Sequence, residues 1–240
     1  MRLTRKIAST VVALVAIATG AQAQTFVQNA SFGLATTNWL TNFNFARFDQ
    51  AIANGDIPLG STLTGVTWEI SGRIVGTFSI DNDNATARNF FPNANGTISL
   101  SALPGVTGGS ISINPTFNTV VNLAADNGDG ATVDYTGPDG IAGGTASSSV
   151  LNNSASATTL AGYSGLGTLA VDSEAIAFAG VSGSGNFQSQ ITTQAEVNAI
   201  LTYTYEVSAI IPEPSTAGLL AFSGVGAVGF AVMRRRRNKK

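Results

Sequence analysis

Two short acidic stretches, Asp81-Asn82-Asp83-Asn84 and Asp126-Asn127-Gly128-Asp129-Gly130, carry the side chains that ligate a hard cation. Calcium draws several oxygens from carboxylates, amides and carbonyls of short loops, so Asp81, Asp83, Asp126 and Asp129 are the ligands to expect. Neither stretch follows the EF-hand order. Ala85 and Thr86 stand where the first would need its fifth-position ligand and its glycine, and the second has glycines at positions three and five. Asp, Asn and Gly are equally the residues of tight turns, which accounts for both stretches without a metal.

A second chemistry open to this chain is glycoside hydrolysis, which needs only two carboxyl groups facing each other across a bound sugar. Glu69, Glu174, Glu196 and Glu206 are the candidates. Each lies in or beside an alternating apolar and polar run, at a polar position, where a carboxylate is ordinarily solvated. The chain has no histidine and no cysteine. Histidine triads, histidine-ligated zinc, imidazole acid/base catalysis, thiolate nucleophiles and disulfides are thereby excluded. The glycines from Gly180 to Gly185 come without the lysine of a phosphate-binding loop, which leaves nucleotide binding unsupported. A domain without catalytic turnover is the expectation.

The elements that carry these residues are strands. Thr, Ser, Asn, Gly, Val and Ile dominate, in short alternating runs separated by Gly, Asn and Pro. Trp39, Thr41, Phe43 and Phe45 form one face of a strand and Leu40, Asn42 and Asn44 the other. Val66, Trp68, Ile70, Ile74, Phe78 and Ile80 all fall on even positions, with Gly72 and Gly76 expected at bends. Ile98, Leu100 and Ala102 continue the pattern, as do Ile111 with Ile113, Phe117 with Val121 and Leu123, and Ile176, Phe178, Phe187 and Ile191. The alternation from Val197 to Val207 is the clearest. About ten strands at this spacing predict an all-β fold, a two-sheet β-sandwich of jelly-roll-like form. No helical period stands out. From Asp126 to Leu160 the composition turns to Gly, Ala, Ser, Asn and Asp, as surface loops with one weak strand at Thr132 to Tyr135 would have.

The two ends differ from this body. Met1-Arg2-Leu3-Thr4-Arg5-Lys6, an apolar stretch from Ile7 to Ala18 and Ala21-Gln22-Ala23 have the order of a secretory signal peptide, a short helix removed by signal peptidase after residue 23. Residues 24–211 then form the domain, and 212–240 a tail. Between Ala217 and Met233 no residue is charged. A helix over that stretch spans roughly 25 Å, enough to cross a bilayer core. Pro212 and Pro214 mark where such a helix cannot begin earlier. Arg234, Arg235, Arg236 and Arg237, with Lys239 and Lys240, would stay on the cytoplasmic side of the inner membrane as a stop-transfer signal.

Once both ends are set apart, the domain holds three arginines, Arg47, Arg73 and Arg88, against thirteen carboxylates, a net charge of −10 that the whole-chain value of −2 conceals. Such a surface repels nucleic acid and anionic lipid, and favours cations, basic partners or neutral glycans.

The order of Pro212-Glu213-Pro214, an apolar span holding Gly218, Gly224, Gly226 and Gly229, and an arginine cluster resembles the PEP-CTERM sorting signal. The resemblance implies that Pro212, Glu213 and Pro214 are the signature read by exosortase, a membrane protease. It further implies release or transfer of the protein to the surface or exopolysaccharide matrix of a Gram-negative cell. Thr25-Phe26, Ser31-Phe32-Gly33-Leu34, Phe48-Asp49 and the stretch from Gly60 to Val66 resemble the bacterial choice-of-anchor surface domains of type E. Thr136-Gly137-Pro138-Asp139 and Tyr163-Ser164-Gly165 fit the same pattern. Those domains share an ectodomain over different C-terminal anchors, with no established activity. The expectation is an exported, non-enzymatic surface or matrix protein, with a carbohydrate-binding or carbohydrate-hydrolysing ectodomain as the alternative.

Overall fold

The computed structural model describes residues 22–128 and 133–208. The expected signal peptide up to residue 21, the motif Pro212, Glu213 and Pro214, the helix 217–233, the arginines 234–237 and Asp129 lie outside the described residues. Ala23–Val207 is a compact unit with its own core.

The unit holds eleven strands and one short α-helix among its described residues. In chain order they are β1 (Ala23–Thr36), β2 (Trp39–Ala46), α1 (Phe48–Asn54), β3 (Ser61–Asp81), β4 (Arg88–Ser101), β5 (Ser110–Ile113), β6 (Thr116–Asn118), β7 (Val121–Leu123), β8 (Gly140–Ser147), β9 (Leu151–Ser156), β10 (Thr168–Ser182) and β11 (Gln188–Val207). The first sheet runs β1-β11-β3-β8, with β9 also on β3, and the second runs β2-β10-β4-β5, with β6 and β7 also on β4. Every pairing is antiparallel. The first strand pairs with the last, and the second with the one before it. Thr37 and Asn38 carry the chain from the first sheet to the second. Asn38 takes a positive φ of 69°, which asparagine tolerates better than most residues, and its N–H donates to Ala175 of β10.

The expected sandwich is present, and along β3 and β11 its core lies where the alternation puts it. Val66, Trp68, Ile70, Ile74, Phe78 and Ile80 of β3 are buried, as are Val197, Ala199, Leu201, Tyr203 and Tyr205 of β11. Phe43, Phe45, Ile98 and Leu100 meet them from the second sheet. At about 1.5 to 3 kcal/mol for each large side chain fully removed from water, this face is the main source of stability in a chain without disulfides. Rings fill its centre. Trp68 meets Phe45 edge-on at 5.1 Å between centroids, and Tyr163 meets Tyr203 edge-on at 6.2 Å. The Trp68 Nε1–H donates to Tyr163 Oη at 2.8 Å, Tyr163 Oη–H donates to the Pro104 carbonyl, and Tyr203 Oη–H donates to the Ala46 carbonyl at 3.0 Å.

Five expectations are corrected. Gly72 and Gly76 are not bends, because β3 runs unbroken for 21 residues. They face inward, where a Cβ on Gly72 would strike the Glu196 carbonyl and one on Gly76 the ring of Phe117. The tract expected as loops contains β8 and β9, paired with β3 through their backbones despite side chains too small to show an apolar face. Residues 133–136 form no strand. A helix, α1, is present where none stood out. It is seven residues long, buries Phe48 and Ala51, and ends at Gly55 with φ 85°. Ile176 and Phe178, expected in the core, face outward, and Ala175 and Ala177 take the inward positions.

Burial raises the pKa of both Tyr163 and Tyr203 above the ordinary tyrosine value, and for Tyr203 the neighbouring Tyr163 adds to it. The sign follows from linkage: unfolded tyrosines lose protons near pH 10, whereas these keep theirs in the folded state, so ionisation favours unfolding. No lysine lies between Gln24 and Ile211, and tyrosines therefore dominate alkaline titration of the domain. Its urea midpoint is expected to be flat from neutral pH to about 10 and to fall as pH rises further. Tyr203→Phe should make that fall shallower.

Candidate functional site

The outward turn of Ile176 and Phe178 produces the most distinctive surface of the molecule. On β10, Asp172, Glu174, Ile176 and Phe178 share the outer face of the second sheet. Antiparallel register sets Phe178 beside Asn95 of β4, which in turn lies beside Thr116 of β6. Ile176 lies beside Thr97, and Gly180 beside Asn93 and then Asn118. Phe178 is 76% exposed, Phe91 37%, Ile176 38% and Leu40 of β2 72%. Phe91 stands four residues along β4 from Asn95, about 13 Å at strand rise. The face therefore offers two separated rings in a field of amides and hydroxyls. Some of that polar field is held in place: Thr97 Oγ1–H donates to Asn114 Oδ1 at 3.0 Å, and Asn93 Nδ2–H to the Phe91 carbonyl at 3.0 Å.

Beyond Phe91 the face opens into a cleft of about 580 Å³ lined by Arg88, Asn89, Asn122, Ser182 and Ser184. Asn122 Nδ2–H donates to Asn89 Oδ1 at 2.7 Å and fixes both amides at its wall. The other two cations of the domain are engaged elsewhere. Arg73 pairs with Glu196 at 2.7 Å, and Arg47 donates to the carbonyls of Gly162, Ser164 and Thr168. An exposed ring presents an apolar platform for the C–H face of a sugar, and amides donate to and accept from its hydroxyls.

The acidic stretches come together at adjoining loops, held by backbone bonds. Asp126 N–H donates to the Asn84 carbonyl at 2.8 Å, and Asn82 N–H to the Asp139 carbonyl at 3.0 Å. Asp81 and Asn82 are buried at the end of β3, and Asp83 is half-buried. Asp139, which the sequence reading did not single out as a ligand, is buried and accepts the Asn127 N–H at 2.8 Å. Asp126 Oδ1 accepts the Gly128 N–H at 2.9 Å, closing a turn. Asn84 clasps Asn186 in both directions, at 2.7 and 2.9 Å. These carboxylates and amides knit three loops to one another, and among the described residues no three of His, Cys, Asp or Glu are grouped to hold a metal ion.

The four glutamates are spread over two surfaces. Glu174 is on the outer face of the second sheet, while Glu69, Glu196 and Glu206 are on the outer face of the first. Glu196 lies opposite Arg73 and Glu69 opposite Ile200, so those two are four residues apart along the ladder, about 13 Å. Glu206 lies six residues beyond Ile200 on β11, about 20 Å. These are spacings along the backbone, longer than the roughly 5 to 9.5 Å that separates the carboxyl groups of glycosidases, and the Glu196 carboxylate is held by Arg73.

Among known families, the PEP-CTERM protein-sorting motif matches residues 211–237. No curated protein and no solved structure matches the chain. The chain is thus an exported protein, handled by exosortase and anchored in the membrane transiently, as that motif implies. The choice-of-anchor type E resemblance of the domain finds no support in these comparisons.

Proposed function

We propose that this protein is a non-enzymatic component of the cell surface or exopolysaccharide matrix of a Gram-negative bacterium, adhering to polysaccharide through the outer face of its second sheet. Signal peptidase removes residues 1–23, exosortase acts at Pro212, Glu213 and Pro214, and the domain is left outside. One observation carries the adhesive reading: Phe178 is 76% exposed on a sheet whose neighbouring positions are Asn95, Thr97 and Thr116. A large ring left in water costs stability that an inward residue would recover, and a ligand that covers it recovers the same energy. The strand order, first with last and second with next to last, supports a jelly-roll-like sandwich, an architecture found among lectin domains.

The test is co-sedimentation with the exopolysaccharide of the producing organism, with chain length of the polysaccharide followed in parallel. Phe178→Ala should weaken binding roughly tenfold, the scale of one lost aromatic contact. The urea midpoint should stay nearly unchanged, because the ring is largely exposed on the outer face. Equal binding by the variant overturns the adhesive reading, and shortened polysaccharide overturns the non-enzymatic one.

A further inference from the structure

A sheet edge is an unfinished hydrogen-bonding surface, and proteins blunt it with charge, proline, bulges, brevity or a cover. Three of the four edges here are blunted. The far edge of the second sheet is divided among β5, β6 and β7, of four, three and three residues. The far edge of the first is divided between β8 and β9, and Asn153 of β9 donates across to the Ser112 carbonyl at 2.9 Å. The near edge, β2, has eight residues, and the Gln28 amide occupies both the N–H and the carbonyl of Ala46 at its end.

The fourth edge is β1. It has 14 residues without one charged side chain or proline, and all but Ala23 belong to the domain whose side chains sum to −10. From Ala23 to Phe32 its register on β11 is unbroken, and the bulge comes only after Phe32. Among the described residues, no backbone group of β1 bonds outside that ladder. In an antiparallel pair the outward N–H and C=O groups belong to alternate residues, so about half of β1 offers them to a further strand.

We infer that β1 pairs antiparallel with β1 of a second copy, joining two first sheets into one. The strand suits itself. A two-fold axis brings residues of equal parity opposite each other, so that Val27, Asn29 and Ser31 of both copies line the outer face and Phe26, Ala30 and Phe32 the inner one. A basic partner would be served by an acidic edge, which this domain could readily supply and does not. A neutral strand facing an identical neutral strand meets no like charge, while the remaining −10 on each copy repels at longer range. Association therefore strengthens as salt rises and screens that repulsion.

The absence of cysteine makes the test clean, because any introduced thiol is the sole label. The full chain in detergent carries a nitroxide at one of Thr25→Cys, Val27→Cys, Asn29→Cys or Ser31→Cys, with Ser154→Cys of β9 as the control. Dipolar distances between copies are expected to grow away from the two-fold by about 6.6 Å per residue, twice the strand rise. Val27→Lys with Ser31→Lys, at exposed positions that the fold tolerates, should abolish the coupling at Asn29→Cys and return the mass to that of a monomer. A dimer held only by the C-terminal segment would show no such dependence on residue number and no loss with the lysines. That result, a monomer at all salt concentrations, or one constant distance along β1, as parallel pairing gives, overturns the inference.

Discussion

Glu213→Ala is expected to halt maturation, leaving a precursor that keeps its C-terminal 30 residues and stays in the inner membrane. Glu213 is the one carboxylate in the stretch that matches the sorting motif, held between Pro212 and Pro214. Proline fixes φ and removes a backbone donor, so a Pro-Glu-Pro sequence disfavours helix and suits recognition of its glutamate by an enzyme that binds an extended segment. Four arginines at 234–237 would resist passage through a bilayer and so would keep uncleaved chains in place. Intact mass of the protein from membrane and extracellular fractions decides it. Wild-type rates of maturation in the variant would remove the assigned role of Glu213.

The largest loss of stability is expected from Trp68→Ala. Trp68 is fully buried on β3, packs edge-on against Phe45, and donates to Tyr163. Removing so large a ring from a packed core costs about 3 to 5 kcal/mol, a large part of the roughly 5 to 15 kcal/mol by which a domain is stable. Tyr163→Phe keeps the volume but leaves the indole N–H buried without its acceptor, at about 1 to 3 kcal/mol. The two residues touch, so the double variant should lose less than the sum. Urea denaturation of the four proteins measures all three terms. A Trp68→Ala variant as stable as wild type would mean that the ring cluster does not hold the two sheets together.

The phase of β3 was legible because its inward residues are large and its outward residues polar, and the same held for β11. Along β10 that rule failed. Where a Cβ on Gly96 would stand, Ala177 of β10 and Ile74 of β3 already converge, so the small residue is the inward one there and Phe178 points outward. A signal was present nonetheless: Asp172 and Glu174 have the same parity as Ile176 and Phe178, and two carboxylates on one strand mark its solvated face. The β8 and β9 strands were hidden because backbone pairing with β3, rather than side-chain character, makes them strands. The convergence of Asp139 with Asn82 and Asn127 was equally out of reach, since it depends on three loops meeting in space. The sorting motif was fully legible, being a linear pattern that its processing enzyme also reads in linear form.

The pairing of β1 with β11 sets a timetable for export. Ala23 lies opposite Glu206 and Thr36 opposite Gln194, so the first strand to emerge from the translocation channel must wait for almost the last. β3 waits as well, since β11 lies between it and β1. Contacts of such sequence separation form slowly even in a free chain. Here the central strand of the sheet ends at Val207, four residues before the matched motif begins at Ile211. The first sheet therefore closes only when the sorting motif itself follows into the channel, so transient anchoring through that motif would hold the chain at the moment its fold is completed. A tail cut before that moment would release a sheet still open.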